Sequence, residues 1–273
     1  MTPEERQFVG LLCESRAGLE VDPAKSYLLE SRLAPVARRE GFVSASELVS
    51  ALAGERPEER LVWAVVEAMA AGESVFFRDR LPFDWFRDEV LPALAHRRTD
   101  RPLRIWSAGC GAGQEVYSLA ICVEEKRAAL GGAKVELFAS DLSARALEKA
   151  QAGLYTQFEI QRGLPVRKLV QNFEKVDEAW AISPKIRQMV RWRRVNLAVE
   201  FAQAGQFDII FCRYVLGGMT QEARARVAAN LAGALAPDGV MFLGDGETAG
   251  ERLSPVADRQ GLFVRRPAAR AAA

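Results

Sequence analysis

The chain has 273 residues, 49% hydrophobic and 27% charged, enough apolar material to bury one core or two. Thirty-seven Lys plus Arg against 36 Asp plus Glu leave a net charge of +1, so no global field demands nucleic acid or an anionic membrane as partner. Cys13, Cys110, Cys122 and Cys212 lack metal-ligand spacing, and no signal-peptide order or 18-residue apolar window occurs; a reduced cytoplasmic setting without metal or membrane insertion is expected. From Thr2 to about Gly72 the pattern is helical: Thr2 precedes Pro3 and Glu5 as a start signal, Ser44 precedes another helix with Glu47 in its first turn, and Pro35 is expected to kink or break one helix. An aromatic cluster of Phe76, Phe77, Phe83, Trp85 and Phe86 lies at the expected boundary, with 1–80 helical, 81–98 a linker and 99–273 a second domain.

Beyond Leu103, short β-rich runs alternate with helical patterns. Strands are expected at Leu103–Ser107, Val135–Ser140, Val190–Val195, Phe207–Arg213, Val240–Gly244 and Leu262–Val264. Helices are expected at Gln114–Leu130, Ala144–Ala152 and Gln221–Leu235, the last closed by Pro237-Asp238-Gly239. This rhythm is that of an α/β fold with parallel strands and crossover helices. An alanine- and arginine-rich tail after Pro267 is expected to fray.

The segment Arg104 to Glu115 reads as a strand, a glycine turn and a helix start. Gly109, Gly111 and Gly113 let the backbone approach a ligand closely, and the following helix offers unpaired N–H groups. The same spacing also suits a tight turn with no ligand. Neither a dinucleotide G-x-G-x-x-G register nor a following Gly-Lys-Ser/Thr is present, which favours S-adenosylmethionine (SAM) over a phosphate-bearing ligand. Asp141, ending the next strand, is placed to accept both hydroxyls of a ribose, or else to cap the helix Ala144–Ala152.

With these residues in place, the chain resembles the CheR-type protein-glutamate O-methyltransferases over nearly its whole length. The resemblance rests on Gly72-Glu73-Ser74-Val75-Phe76-Phe77-Arg78, on Ser107 to Ala120 with Glu115, Tyr117 and Ser118, and on Ser140-Asp141. Gly153-Leu154-Tyr155, Val195-Asn196-Leu197, Phe207 to Arg213, Pro237-Asp238-Gly239 and Gly244…Glu247 follow in the family's order. It implies an N-terminal helical domain that helps engage a receptor, joined to a Rossmann-like SAM-dependent methyltransferase domain with a small β-subdomain inserted at about 156–194. It further implies SAM as cofactor and S-adenosylhomocysteine as product, with Ser74, Arg78, Gly109, Glu115, Asp141, Asn196, Leu197, Arg213 and Tyr214 around the cofactor. Arg78 is the expected catalytic residue, orienting a glutamate carboxylate on the cytoplasmic helical domain of a chemoreceptor. A carboxylate of pKa about 4.3 is already ionised at neutral pH, so methyl transfer to it needs position rather than a general base.

Two departures are specific. Tyr214 stands where the family carries an asparagine, and Gly218 where it carries a tyrosine near the transferring methyl group. These keep open an alternative, a SAM- or SAH-binding regulator or scaffold of a chemosensory system. The stretch Asn172–Trp180 is short and glycine-free, so no tether for a receptor's C-terminal peptide is expected.

Overall fold

Thr2 begins the first helix through a reciprocal cap: its hydroxyl accepts the Glu5 N–H at 3.2 Å, and the Glu5 carboxylate accepts the Thr2 N–H at 2.8 Å. In this computed structural model, which describes residues 1–54, 56–199 and 205–266, that helix spans Pro3–Ala17. The tail expected to fray after Pro267 lies outside the described residues. Three more helices follow, Ser26–Arg39, Ala45–Leu52 and Glu59–Ala70, the third of the four capped by Ser44 as expected. Ser26–Arg39 runs unbroken through Pro35, which removes the N–H that would reach the Ser31 carbonyl. The buried face of Leu29, Leu33, Val36 and Ala37 offsets that lost bond by packing.

These helices form the first of two units, together with residues 196–199 and Val215–Val227. The later segments are strapped to the end of the first helix. Thr220 N–H donates to the Gly18 carbonyl at 2.9 Å and Glu20 N–H to the Gly218 carbonyl at 3.0 Å, flanking a bridge between Leu19 and Met219.

The second unit holds Glu73–Val195 and residues 205–214 and 228–266. Its strands are β1 (Leu103–Ala108), β2 (Val135–Asp141), β3 (Leu154–Thr156), β4 (Phe173–Val176), β5 (Ala179–Ile182), β6 (Val190–Arg194), β7 (Phe207–Cys212), β8 (Leu235–Leu243), β9 (Leu253–Pro255) and β10 (Leu262–Arg265). The main sheet has the order β6-β2-β1-β7-β8-β10-β9, parallel from β6 through β8 and antiparallel in the last two pairings. A separate antiparallel sheet, β3-β5-β4, is inserted between β2 and β6. Every residue of β7 is buried, as expected of a central parallel strand covered on both faces.

The expected strands all form, but two ends differ. The helix from Gln114 stops at Lys126 and tightens into a 3-10 turn, Arg127–Leu130. Pro237-Asp238-Gly239 lies inside β8, which begins at Leu235 opposite Phe207 and shifts register before Ile209. Gly239 is needed there because a Cβ would come within 2.8 Å of the Asp208 carbonyl oxygen. Residues 81–98, expected as a linker, form a helical run with a π-turn at Phe86–Val90 just before Pro92. Its aromatic rings join the core: Phe83 stacks on Phe211 at 5.8 Å, and Phe211 on Phe242 at 4.2 Å. No helix among the described residues is long and apolar enough to cross a membrane.

Asp208, fully buried near the start of β7, ties the amino-terminal ends of the central strands together. It accepts from Arg98 Nε at 2.7 Å, Arg101 Nη2 at 2.6 Å and Nη1 at 2.8 Å, and the Arg104 backbone N–H at 2.9 Å. Burial alone raises such a carboxyl's pKa, but these donors outweigh it and hold Asp208 below the usual range. A lowered native pKa gives stability that is complete above the unfolded value of about 3.9 and is lost as pH falls through the native one. Asp208→Asn is therefore expected to cost about 3–5 kcal/mol at pH 7, read from denaturant midpoints, with the deficit shrinking under acid conditions.

Candidate functional site

The glycine turn after β1 takes its shape from three left-handed residues, Gly109, Gly111 and Gly113, at φ 77, 55 and 92°. Gly109 and Cys110 both donate N–H groups to the Ser140 carbonyl at 2.8 and 2.9 Å, which pins the turn to the end of β2. Gly113 leaves room for the helix Ala144–Ala152, because a Cβ would lie 2.9 Å from that of Ala150. At Gly111 a Cβ would meet Ser74 Cβ at 3.4 Å, so Ser74 lies beside the turn.

Asp141 binds the turn directly: one carboxylate oxygen accepts the Gly111 N–H at 2.8 Å, and the other accepts the Ser143 N–H at 2.9 Å. Capping of the following helix falls to Ser143, whose hydroxyl accepts the Ala146 N–H at 3.1 Å. The loop N–H that a phosphate would take is thus engaged by a carboxylate, and Glu115 adds a second carboxylate on the first helical turn. Two acids suit a nucleoside that carries a positive charge and a ribose diol, and they oppose a pyrophosphate. Gln114 Oε1 and Arg213 Nε are buried without a hydrogen-bond partner, as expected of groups that a ligand satisfies. The residues present therefore fit SAM.

Arg213, just past β7, is almost fully buried and draws the other side of the site together. Its Nη2 donates to the Asp79 carboxylate at 2.5 Å and to the Arg78 carbonyl at 3.1 Å, and its Nη1 lies 3.6 Å from Glu115. Glu115 also accepts the Ser107 hydroxyl at 2.8 Å. The loop so held is strained, with Phe77, Asp79 and Arg80 at φ 49, 63 and 48°. Phe77 anchors it through its N–H on the Ser118 hydroxyl at 3.0 Å. Tyr214, also left-handed at φ 60°, donates its N–H to Glu247 at 2.8 Å and its hydroxyl to Asp79, and its ring lies 3.4 Å beneath the Arg78 guanidinium carbon.

Ser74, Arg78, Gly109, Glu115, Asp141, Arg213 and Tyr214 thus all lie in the second unit, where Ser74 and Asp141 meet the glycine turn that contains Gly109, and Arg78, Glu115 and Tyr214 gather around Arg213. Asn196 and Leu197 belong to the first. The Asn196 amide donates to the Arg16 carbonyl at 2.8 Å and accepts the Ala198 N–H at 3.0 Å, the work of a turn residue; Leu197 is buried. Asp79 was missed by sequence reasoning because nothing local distinguishes it; its partner Arg213 is 134 residues away. Glu247 was visible only as part of a motif, while its carboxylate gathers the N–H groups of Gly244 and Tyr214 at 2.8 Å each.

A family model described as CheR methyltransferase, SAM binding domain, matches residues 72–257. The chain is 37% identical over 238 residues to chemotaxis protein methyltransferase 1 of Pseudomonas aeruginosa, covering 86% of each chain. It is 36% identical over 249 residues to the chemotaxis protein methyltransferase of Vibrio parahaemolyticus, covering 90% of this chain and 89% of that one.

Burial pushes the Glu115 carboxyl above its usual value, and the Arg213 guanidinium at 3.6 Å and the Ser107 hydroxyl, which favour the charged form, only partly offset it. A raised native pKa means that the folded state holds its proton more tightly, so the stability contribution is complete below the unfolded value, about 4.3, and declines as pH rises through the native one. Glu115→Gln is expected to flatten that decline, measured as denaturation midpoints from pH 4 to 8; an unchanged slope would remove Glu115 as its source.

Proposed function

The chain belongs to the CheR methyltransferase family, with SAM as cofactor, and from that membership we propose that it methylates glutamate side chains on the cytoplasmic helical domain of a chemoreceptor. When bound, SAM supplies an electrophilic methyl group on a sulfonium, which a carboxylate oxygen takes by direct displacement to give an ester and S-adenosylhomocysteine. The observation that carries the glutamate reading is Arg78. Its half-buried guanidinium lies over the Tyr214 ring, its carbon 3.4 Å from the ring centre, and a guanidinium's donors all lie in its plane. That edge is suited to hold an incoming carboxylate by two parallel bonds.

Around it, Asp141 shapes the glycine turn for a ribose, and Glu115 places negative charge beside a cationic ligand. Ser74 closes over Gly111. The helical unit is the natural receptor-engaging part. Strands β4 and β5 are joined only by Asp177 and Glu178, with Asp177 left-handed at φ 50°, which supports capture without a C-terminal peptide tether.

Gly218 favours a second reading, a SAM- or SAH-binding regulator whose turnover is impaired. It lacks the family's tyrosine, yet a Cβ there would meet nothing within 4 Å, so the backbone does not require glycine.

Incubation with methyl-labelled SAM and receptor-rich membranes is expected to yield base-labile methyl groups on receptor glutamates; SAH binding without transfer would favour the regulator. Arg78→Lys is expected to lower transfer at least roughly tenfold, or about 1.4 kcal/mol, with SAH affinity retained. Calorimetric titration should show Asp141→Ala weakening SAH by a similar factor in a sample whose circular dichroism is unchanged. Gly218→Tyr should fold normally and raise turnover if the missing phenol limits it.

A further inference from the structure

The ring at position 214 is built into its site more tightly than a pocket-lining side chain requires. Gly244 would place a Cβ 2.8 Å from the Tyr214 nitrogen and 2.9 Å from its Cδ1, so the ring packs against bare backbone. Glu247 fixes the Tyr214 N–H at 2.8 Å, and the phenol hydroxyl reaches Asp79, which Arg213 also binds at 2.5 Å. The ring is therefore held at its backbone, one edge and its tip. Its open face carries the Arg78 guanidinium at 3.4 Å.

Building on the methyltransferase reading, we propose that Tyr214 is a positioning residue for Arg78: its ring sets the plane of the guanidinium, and its hydroxyl, through Asp79, fixes the loop from which Arg78 projects. Face-on support suits a group that must bind in its own plane. A hydrogen-bonding support would consume donors that the acceptor carboxylate needs, whereas a ring face consumes none. The one side-chain hydrogen bond described for Arg78, from Nη1 to the Glu73 carbonyl at 3.2 Å, steadies one end of the fork. Asparagine at position 214 is too short to underlie the guanidinium or to reach Asp79.

The test compares Tyr214→Phe, which keeps the face and loses the hydroxyl, with Tyr214→Leu, which loses both, and with Asp79→Asn. The first readout is the Arg78 side-chain N–H resonance of the intact protein, assigned by its disappearance in Arg78→Lys. A ring-current displacement is expected in the wild type and in Tyr214→Phe, and its collapse in Tyr214→Leu. The second is kinetic: Tyr214→Leu should raise the KM for receptor-rich membranes roughly tenfold with SAH affinity within about twofold, while Tyr214→Phe and Asp79→Asn fall between it and the wild type.

Absence of the displacement in the wild type would overturn the proposal, and so would equal effects of Tyr214→Phe and Tyr214→Leu. A parallel loss of SAH affinity in Tyr214→Leu would overturn it in favour of a cofactor-lining role. The resonance needs no turnover. If no receptor is methylated, the functional reading fails, and the resonance alone decides whether Tyr214 positions Arg78.

Discussion

A buried guanidinium, that of Arg213, is the interaction on which the site depends. Its side chain is 2% exposed, and a charge so far from water is tolerable only when other charges and dipoles surround it. Glu115 comes from the helix after the glycine turn, while Asp79 and the Arg78 carbonyl come from the strained loop. One cation thereby adds a charged tie between two pieces of chain that the Phe77 N–H on Ser118 also joins. It also helps hold the positive φ angles of Phe77, Asp79 and Arg80, since backbone strain of about 1–3 kcal/mol per residue persists only where surrounding contacts over-determine it.

The sheet explains why these groups converge. From the central β1 the order runs to β2 and β6 on one side and to β7 and β8 on the other, and the point where the direction reverses is where sheets of this kind bind ligands, outside the strands' carboxyl ends. Gly109 follows β1, Asp141 ends β2, Arg213 follows β7 and Gly244 follows β8. Four adjacent carboxyl ends thus supply groups of the candidate site. The amino-terminal ends of β1 and β7 are fastened instead by Asp208 and its arginines, so rigidity sits at one end and chemistry at the other.

What was legible in the sequence follows from the range of the forces involved. The glycine turn was readable because left-handed backbone imposes itself on residue choice at Gly109, Gly111 and Gly113, and the buried strands because they are continuous apolar runs. The short strands of the inserted sheet left less: β5 is apolar throughout, Ala-Trp-Ala-Ile, but four residues are too few to tell a strand from a helical segment. β4 reads Phe-Glu-Lys-Val with only Phe173 buried, so neither alternation nor apolarity marks it. Pro237-Asp238-Gly239 looked like a turn because its residues are those of turns, but the close passage of Asp208 puts it in a bulged strand. Asp79 and Glu247 could not be assigned from local pattern, since each acquires its role from partners distant in sequence.

Position 214 shows how the departure from the family pattern is accommodated physically. Its φ of 60° is a conformation that asparagine adopts readily and a bulky aromatic residue resists. Tyrosine there raises the backbone's cost, and its ring lies against Gly244, which must stay bare in any case because a Cβ would come within 2.8 Å of the position 214 nitrogen. Against those costs stand contacts that asparagine cannot make: the phenol hydroxyl on Asp79 and the ring face under Arg78. Those two contacts act on the same strained loop that Arg213 holds from below. The tyrosine thus works with the buried cation, so the substitution reinforces the loop carrying Arg78 at the expense of local backbone ease.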